Sequence, residues 1–226
     1  MENTTYTNDI PILFEDKDIL VINKPVGILS ENSRNGEKGI LSYLRNEERK
    51  DLHLLHRLDR EVGGVMVFAK NKRSASALSI DIANGNFYKY YLAVTDGIPE
   101  CDEGVYKDLL FKDSKKNRSF VVNRMRKGVR EASLEYVILK KTEKNALVRV
   151  LLHTGRTHQI RVQFSSRKTP LTGDGRYGSK ERECSIALQS YKINFNHPRT
   201  KESVTFTCEP CFDKFPWDLF EGVQNV

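Results

Sequence analysis

Short β-branched and aromatic runs recur along this chain, while a helical period shows clearly in only one stretch. Ile19-Leu20-Val21-Ile22, between polar Asp16-Lys17-Asp18 and the turn Asn23-Lys24-Pro25, reads as a strand. Val26 to Leu29 follows as an extended segment, and Asn32 to Lys38 as a polar loop. Leu41 to Glu48 fits a short helix. Gly64 to Ala69 is continuously apolar over one strand length and reads as a buried strand. Lys72 to Ile82 is helical, with Ala75, Leu78 and Ile82 at i, i+3 and i+7. Phe87 to Val94, Ala132 to Leu139, Ala146 to Leu152, Ile186 to Phe195 and Val204 to Thr207 read as further strands. Ile160 to Phe164 begins a helix or a strand, and Pro170 to Gly178 is a glycine-bearing loop. The lack of regular strand–helix alternation argues against a doubly wound parallel fold. The expectation is one α+β domain over residues 1–226, core about 13–207, with a mainly antiparallel mixed sheet and flanking helices and loops.

No window approaches the ~18 uninterrupted apolar residues of a membrane span. The N-terminus, Met1-Glu2-Asn3-Thr4-Thr5, has neither the basic nor the apolar region of a signal peptide, so a cytoplasmic location is expected. Lys and Arg number 37 against 30 Asp and Glu, giving a net charge of +7. That surplus favours a polyanionic partner: RNA, DNA or an anionic membrane face. The basic residues concentrate between Asp113 and Arg130, where Lys115, Lys116, Arg118, Arg124, Arg126, Lys127 and Arg130 face one acid, Asp113. Phe120-Val121-Val122 lies inside this segment, which reads as a basic β-hairpin. It is either a solvated face or an arm that tracks phosphates. Cys208 and Cys211 form the one C-x-x-C pair, short of a structural zinc set, so reduced thiols are expected.

Two polar clusters can carry chemistry. His56-Arg57-Leu58-Asp59, followed by Arg60 and Glu61, sets a carboxylate beside arginines just before the buried strand. His153 to Arg161 packs two His, two Arg and Gln159 into nine residues directly after a strand. A carboxylate near arginines stays ionised at neutral pH, which suits a nucleophile or a base. Solvated turns with charge pairs are the plainer alternative. The histidines His53, His56, His153 and His158 lack an acidic ligand at a familiar offset, so no metal site is expected. No G-x-S-x-G turn supports a serine hydrolase, and the glycines around Asp174 do not form a nucleotide-phosphate loop.

In this order the motifs resemble the RluA family of RNA pseudouridine synthases, from about Leu13 to Phe206. Asp16 to Gly27, with Lys24 in its Asn-Lys-Pro turn, is similar to the family's first motif. His56 to Lys70, HRLDREVGGVMVFAK, is similar to the second, and implies Asp59 as the catalytic aspartate. Lys89-Tyr90-Tyr91-Leu92-Ala93 is similar to the K-x-Y-x-A strand and implies Tyr91 as the active-site tyrosine. Leu152 to Arg161, LHTGRTHQIR, is similar to the third motif and implies that Arg161 lies beside the aspartate. Gly173-Asp174 and Tyr177-Gly178 resemble the G-D-x-x-Y-G segment that follows. The chain departs from the family in having Val62-Gly63-Gly64 where Thr-Ser-Gly is usual, and Arg167-Lys168-Thr169 where a Gly-His pair is common.

The resemblance implies an isomerisation that detaches uracil from ribose, turns it, and rejoins it through carbon, with no metal and no cofactor. Asp59 would attack the sugar, attack the base, or take a sugar proton. Tyr91 would stack on the uracil, and Arg57 would fill the stack vacated by a flipped nucleotide. His56, Arg156, His158, Gln159, Lys24, Lys115, Lys116 and Arg118 complete the expected RNA-binding set. The expected partner is a stem-loop of rRNA or tRNA, whose bases unstack readily, read by a monomer with no DNA or membrane partner. The chain looks too short at its N-terminus for the extra RNA-binding domain that some family members carry. An RNA-binding protein of this fold without catalysis, and a glycoside hydrolase, are the rivals; the latter lacks a second carboxylate at a recognisable spacing.

Overall fold

In a computed structural model, residues 10–33, 35–46 and 49–223 are described. The readings made on Met1 to Thr5 and on the end of the Leu41–Glu48 helix lie outside them. In chain order the strands are β1 Ile12–Glu15, β2 Ile19–Lys24, β3 His53–Leu54, β4 Gly63–Ala69, β5 Phe87–Asp96, β6 Glu103–Asp113, β7 Arg118–Val122, β8 Val129–Lys141, β9 Asn145–Leu152, β10 Leu188–Asn196 and β11 Ser203–Thr207. The α-helices are α1 Ile40–Leu44, α2 Lys72–Ala83 and α3 Gln159–Ser166. The chain forms two compact units, Met1–Phe87 with Phe195–Cys208, and Tyr88–Asn194 with Glu209–Val226. None of the described helices is long and apolar enough to cross a membrane.

In the first unit, β2 lies antiparallel between β1 and β4, with Val21 opposite Val67. Every residue of β4 is buried, as its continuous apolar run requires. Helix α2 packs on β4 through Leu78. Its N-cap is Asn71, whose side chain accepts from Ser74 N at 2.8 Å. Asp18 binds Ser74 Oγ at 2.8 Å, tying this helix end to the β1–β2 turn. Phe87 stacks on Phe195 at 5.0 Å between centroids, closing the unit with the returning chain.

In the second unit, β5-β9-β8-β6-β7 form an antiparallel series. Helix α3 lies on β6 and β7, and its Phe164 meets Tyr106 and Tyr136 at centroid distances of 5.2 and 5.6 Å. These edge-on rings favour this contact over a parallel sandwich.

The structure corrects the sequence reading at three places and decides between the two alternatives left open at a fourth. Val26-Gly27 is a turn, held by a hydrogen bond from Gly27 N to Arg60 O at 2.8 Å. Helix α1 stops at Leu44, because Arg45 adopts an extended conformation. Residues 160–164 are helical within α3. The basic segment 113–130 is not a self-contained hairpin: β7 pairs with β6, and β8 flanks β6 on the other side. Strand β6 escapes a period-2 reading because its buried positions, Tyr106 and Leu110, are four apart among charged and half-exposed neighbours.

Candidate active site

In the first unit, Asp59 lies half-buried in the loop between β3 and β4. Backbone contacts brace this loop on both sides. Ser30 Oγ donates to Leu58 O at 2.7 Å and accepts from Leu58 N at 3.0 Å. Val62 N closes a turn onto Asp59 O at 3.1 Å. Lys24 is fully buried and donates from Nζ to Pro25 O at 2.8 Å, Val62 O at 2.9 Å and Arg60 O at 3.4 Å. Burial lowers the Lys24 pKa to about 8, against the upward pull of Asp59 and Glu61. Lys24 is thus a clamp beneath the Asp59 loop. The expectation that it touches RNA is corrected, because a side chain with no exposed surface and three carbonyl acceptors has no face for a phosphate. The departure at Val62-Gly63 falls where Lys24 holds the backbone.

Two other expected residues flank this loop. Arg57 is exposed and forms an ion pair with Glu31. His56 accepts from Val67 N through Nε2 at 3.2 Å and packs against the Phe87 ring, which fixes it to the framework. Asp16, Asp18 and His197 place potential ligand atoms within 4.8 Å of one another. His197 is already 3.1 Å from Asp16, and Arg199 Nε lies 2.7 Å from Asp18, so a guanidinium occupies the place a cation would take.

In the second unit, Tyr91 is buried on β5 opposite Val150. Arg161 is buried in the first turn of α3 and forks onto Asp174, Nε to Oδ2 at 2.6 Å and Nη2 to Oδ1 at 2.9 Å. Beside Asp174, Gly173 lets the chain pass close to the Ser185 backbone: its φ is +80°, and a Cβ there would lie 2.5 Å from Ser185 O. Asp174 is the buried ion-pair partner of Arg161, and the sequence reading names it only inside a glycine segment. Its signal was its place in Gly173-Asp174.

The loop before α3 is internally wired. Gln159 is buried; its Oε1 accepts from Thr154 Oγ1 at 2.7 Å and Arg156 N at 3.0 Å, and its Nε2 donates to Ser133 O at 3.1 Å. With its amide spent on the loop, Gln159 shapes it and does not reach RNA, a second correction. His158, buried and at φ 53°, sits 3.0 Å from the Tyr177 hydroxyl through Nδ1. Arg156 is exposed and donates to Glu131 O at 2.9 Å. Lys115 and Lys116 project from the exposed β6–β7 turn, whose backbone N–H groups bind Asp113. Arg118 is half-buried, over the rings of Tyr177 at 5.0 Å and Phe120 at 5.4 Å.

The family model for RNA pseudouridylate synthase matches residues 18–166. The chain belongs to that family. It is an RNA pseudouridine synthase of the RluA type with the α+β pseudouridine synthase fold. It is 34% identical over 222 residues to an uncharacterized RNA pseudouridine synthase of Aquifex aeolicus, covering 88% of this chain and 69% of that protein. It is 33% identical over 208 residues to the ribosomal large subunit pseudouridine synthase C of Buchnera aphidicola, covering 87% and 65%. The chain thus spans about two thirds of the length of these curated relatives. Human RNA pseudouridylate synthase domain containing 4 superposes with a TM-score of 0.74 at 26% identity, covering 89% of each chain.

Proposed function

We propose that this pseudouridine synthase acts in the cytoplasm, as a monomer, on a uridine in a stem-loop of large-subunit ribosomal RNA, with Asp59 as the reacting carboxylate. The observation that carries the role of Asp59 is its loop, clamped from within by Lys24 and Ser30 while the carboxylate keeps partial exposure. A held nucleophile or base loses little freedom on the way to the transition state. The choice of ribosomal RNA rests on the name of the Buchnera relative. Tyr91 supplies the ring against the uracil, and Arg161 takes part in the same reaction. Arg57 takes the place of the flipped nucleotide in the stack.

Mapping pseudouridine in total RNA from a deletion strain against its parent tests this reading. One or more large-subunit sites should disappear in the deletion strain, and return with the wild-type gene but not with Asp59→Asn. Loss confined to tRNA sites would replace the substrate, and an unchanged map would reject the assignment to cellular RNA.

A further inference from the structure

A cavity of about 260 Å³ opens in the second unit, lined by Leu110 and Lys112 of β6, Ser119 of β7, Gly128 and Arg130 at the start of β8, and the Gly155-Arg156-Thr157 loop. Its charged lining residues are three cations and no acid. Among the described residues, Lys112, Arg130 and Arg156 form no ion pair; the arginines bond instead to backbone carbonyls. Arg130 Nη1 donates to Val129 O at 3.1 Å, and Arg156 Nε to Glu131 O at 2.9 Å. Those bonds aim the guanidinium groups without neutralising them.

The walls are built in advance. Ser119 Oγ donates to Thr157 O at 2.6 Å, joining β7 to the loop, and Gln159 fixes the backbone of Arg156. Gly155 leaves the wall bare, and behind it the ammonium of Lys89 lies 3.7 Å from where a Cβ would stand. Lys89 is itself buried, which pulls its pKa down. Three like charges held around a cavity repel one another, and a bound anion would relieve that repulsion.

We infer that this cavity is a subsite for a single backbone phosphate of the RNA substrate, shared by Lys112, Arg130 and Arg156. The inference rests on the family's RNA substrate and adds a position where the strand is gripped. A shared phosphate has a distinctive signature, since each phosphate neutralised contributes roughly -0.7 to -0.9 to the slope of log affinity against log salt. Removing two of the three cations together should cost one phosphate and not two.

The test is a filter-binding salt titration of an unmodified large-subunit rRNA transcript with wild-type protein, Arg130→Gln, Arg130→Lys and Lys112→Gln/Arg130→Gln. Pseudouridine formation by the wild type in the same RNA checks the functional reading separately from the cavity. The double variant should bind more weakly, with a slope flattened by about 0.7–0.9. Arg130→Lys, which keeps the charge, should retain more of the affinity than Arg130→Gln. An unchanged slope would overturn the subsite. A flattening of about 1.4–1.8 would also overturn it, because the two cations would then hold separate phosphates. Thermal melting of each variant, with an unchanged midpoint expected, keeps loss of fold apart from loss of binding.

Discussion

Arg161 and Asp174 meet as a two-point fork in which the guanidinium is 2% exposed and the carboxylate 1%. Breaking a buried, two-point ion pair by removing one partner typically costs ~3–5 kcal/mol. Arg161→Ala and Asp174→Ala should therefore each lower the urea midpoint markedly. Arg161→Lys keeps the charge but not the fork, and should fall between them and the wild type. Equal stability of all variants in urea unfolding would show that the fork does not hold this region. Lost turnover in Arg161→Ala must accordingly be read beside its stability.

Asp59 offers a cleaner test. Asp59 is half-buried and its loop is held by backbone bonds, so the near-isosteric Asp59→Asn leaves those bonds in place. Pseudouridine formation should be abolished, while RNA affinity stays within about tenfold of wild type. Turnover above background in protein free of wild-type enzyme would exclude Asp59 from the reacting role.

Lys24 links the same loop to pH. Its folded pKa of about 8 lies below that of an unfolded lysine, so the unfolded chain binds more protons between those values. This group's contribution to stability therefore rises as pH increases across that window. Relative to Lys24→Met, the wild type should gain ~2 kcal/mol between about pH 7.5 and 9.5. Lys24→Met should also be less stable at pH 7.5, having left buried carbonyls without a donor. Parallel stability curves for the two proteins in urea would remove Lys24 from the pH response.

The exposed β6–β7 turn carries a separate prediction. Lys115→Ala/Lys116→Ala should flatten the salt dependence of RNA binding by about 1.4–1.8, one phosphate for each lysine. A solvated turn predicts an unaltered slope in the same titration. Arg118 does not belong in that variant: stacked over Tyr177, it would change packing as well as charge.

The strings around Asp59, Tyr91 and Arg161 were legible because chemistry demands particular residue types in short windows. So were β2, β4, α2, β5 and β9, whose apolar patterns each match one period. What stayed hidden was where charged heads come to rest. Lys24 sits in a polar turn, as a surface lysine would, yet strand pairing brings its ammonium to carbonyls 36 and 38 residues away in sequence. Gln159 reads as an RNA contact for the same reason. Their partners are fixed by strand pairing and by the path of the loop, neither of which local composition encodes. Strand β6 was missed because its neighbours on both sides, and not its own alternation, stabilise it.

The first unit takes Phe195–Cys208 from near the end of the chain, and Phe87 waits for Phe195 to complete its stack. During synthesis at about 5–20 residues per second, the stretch from Phe87 to Cys208 takes roughly 6–24 s to emerge. Through that interval the segment bearing Asp59 lacks its closing strand, and Asp16 lacks His197. The first unit is thus begun early and completed late, so a chain cut short before residue 195 should be a substrate for proteases and chaperones.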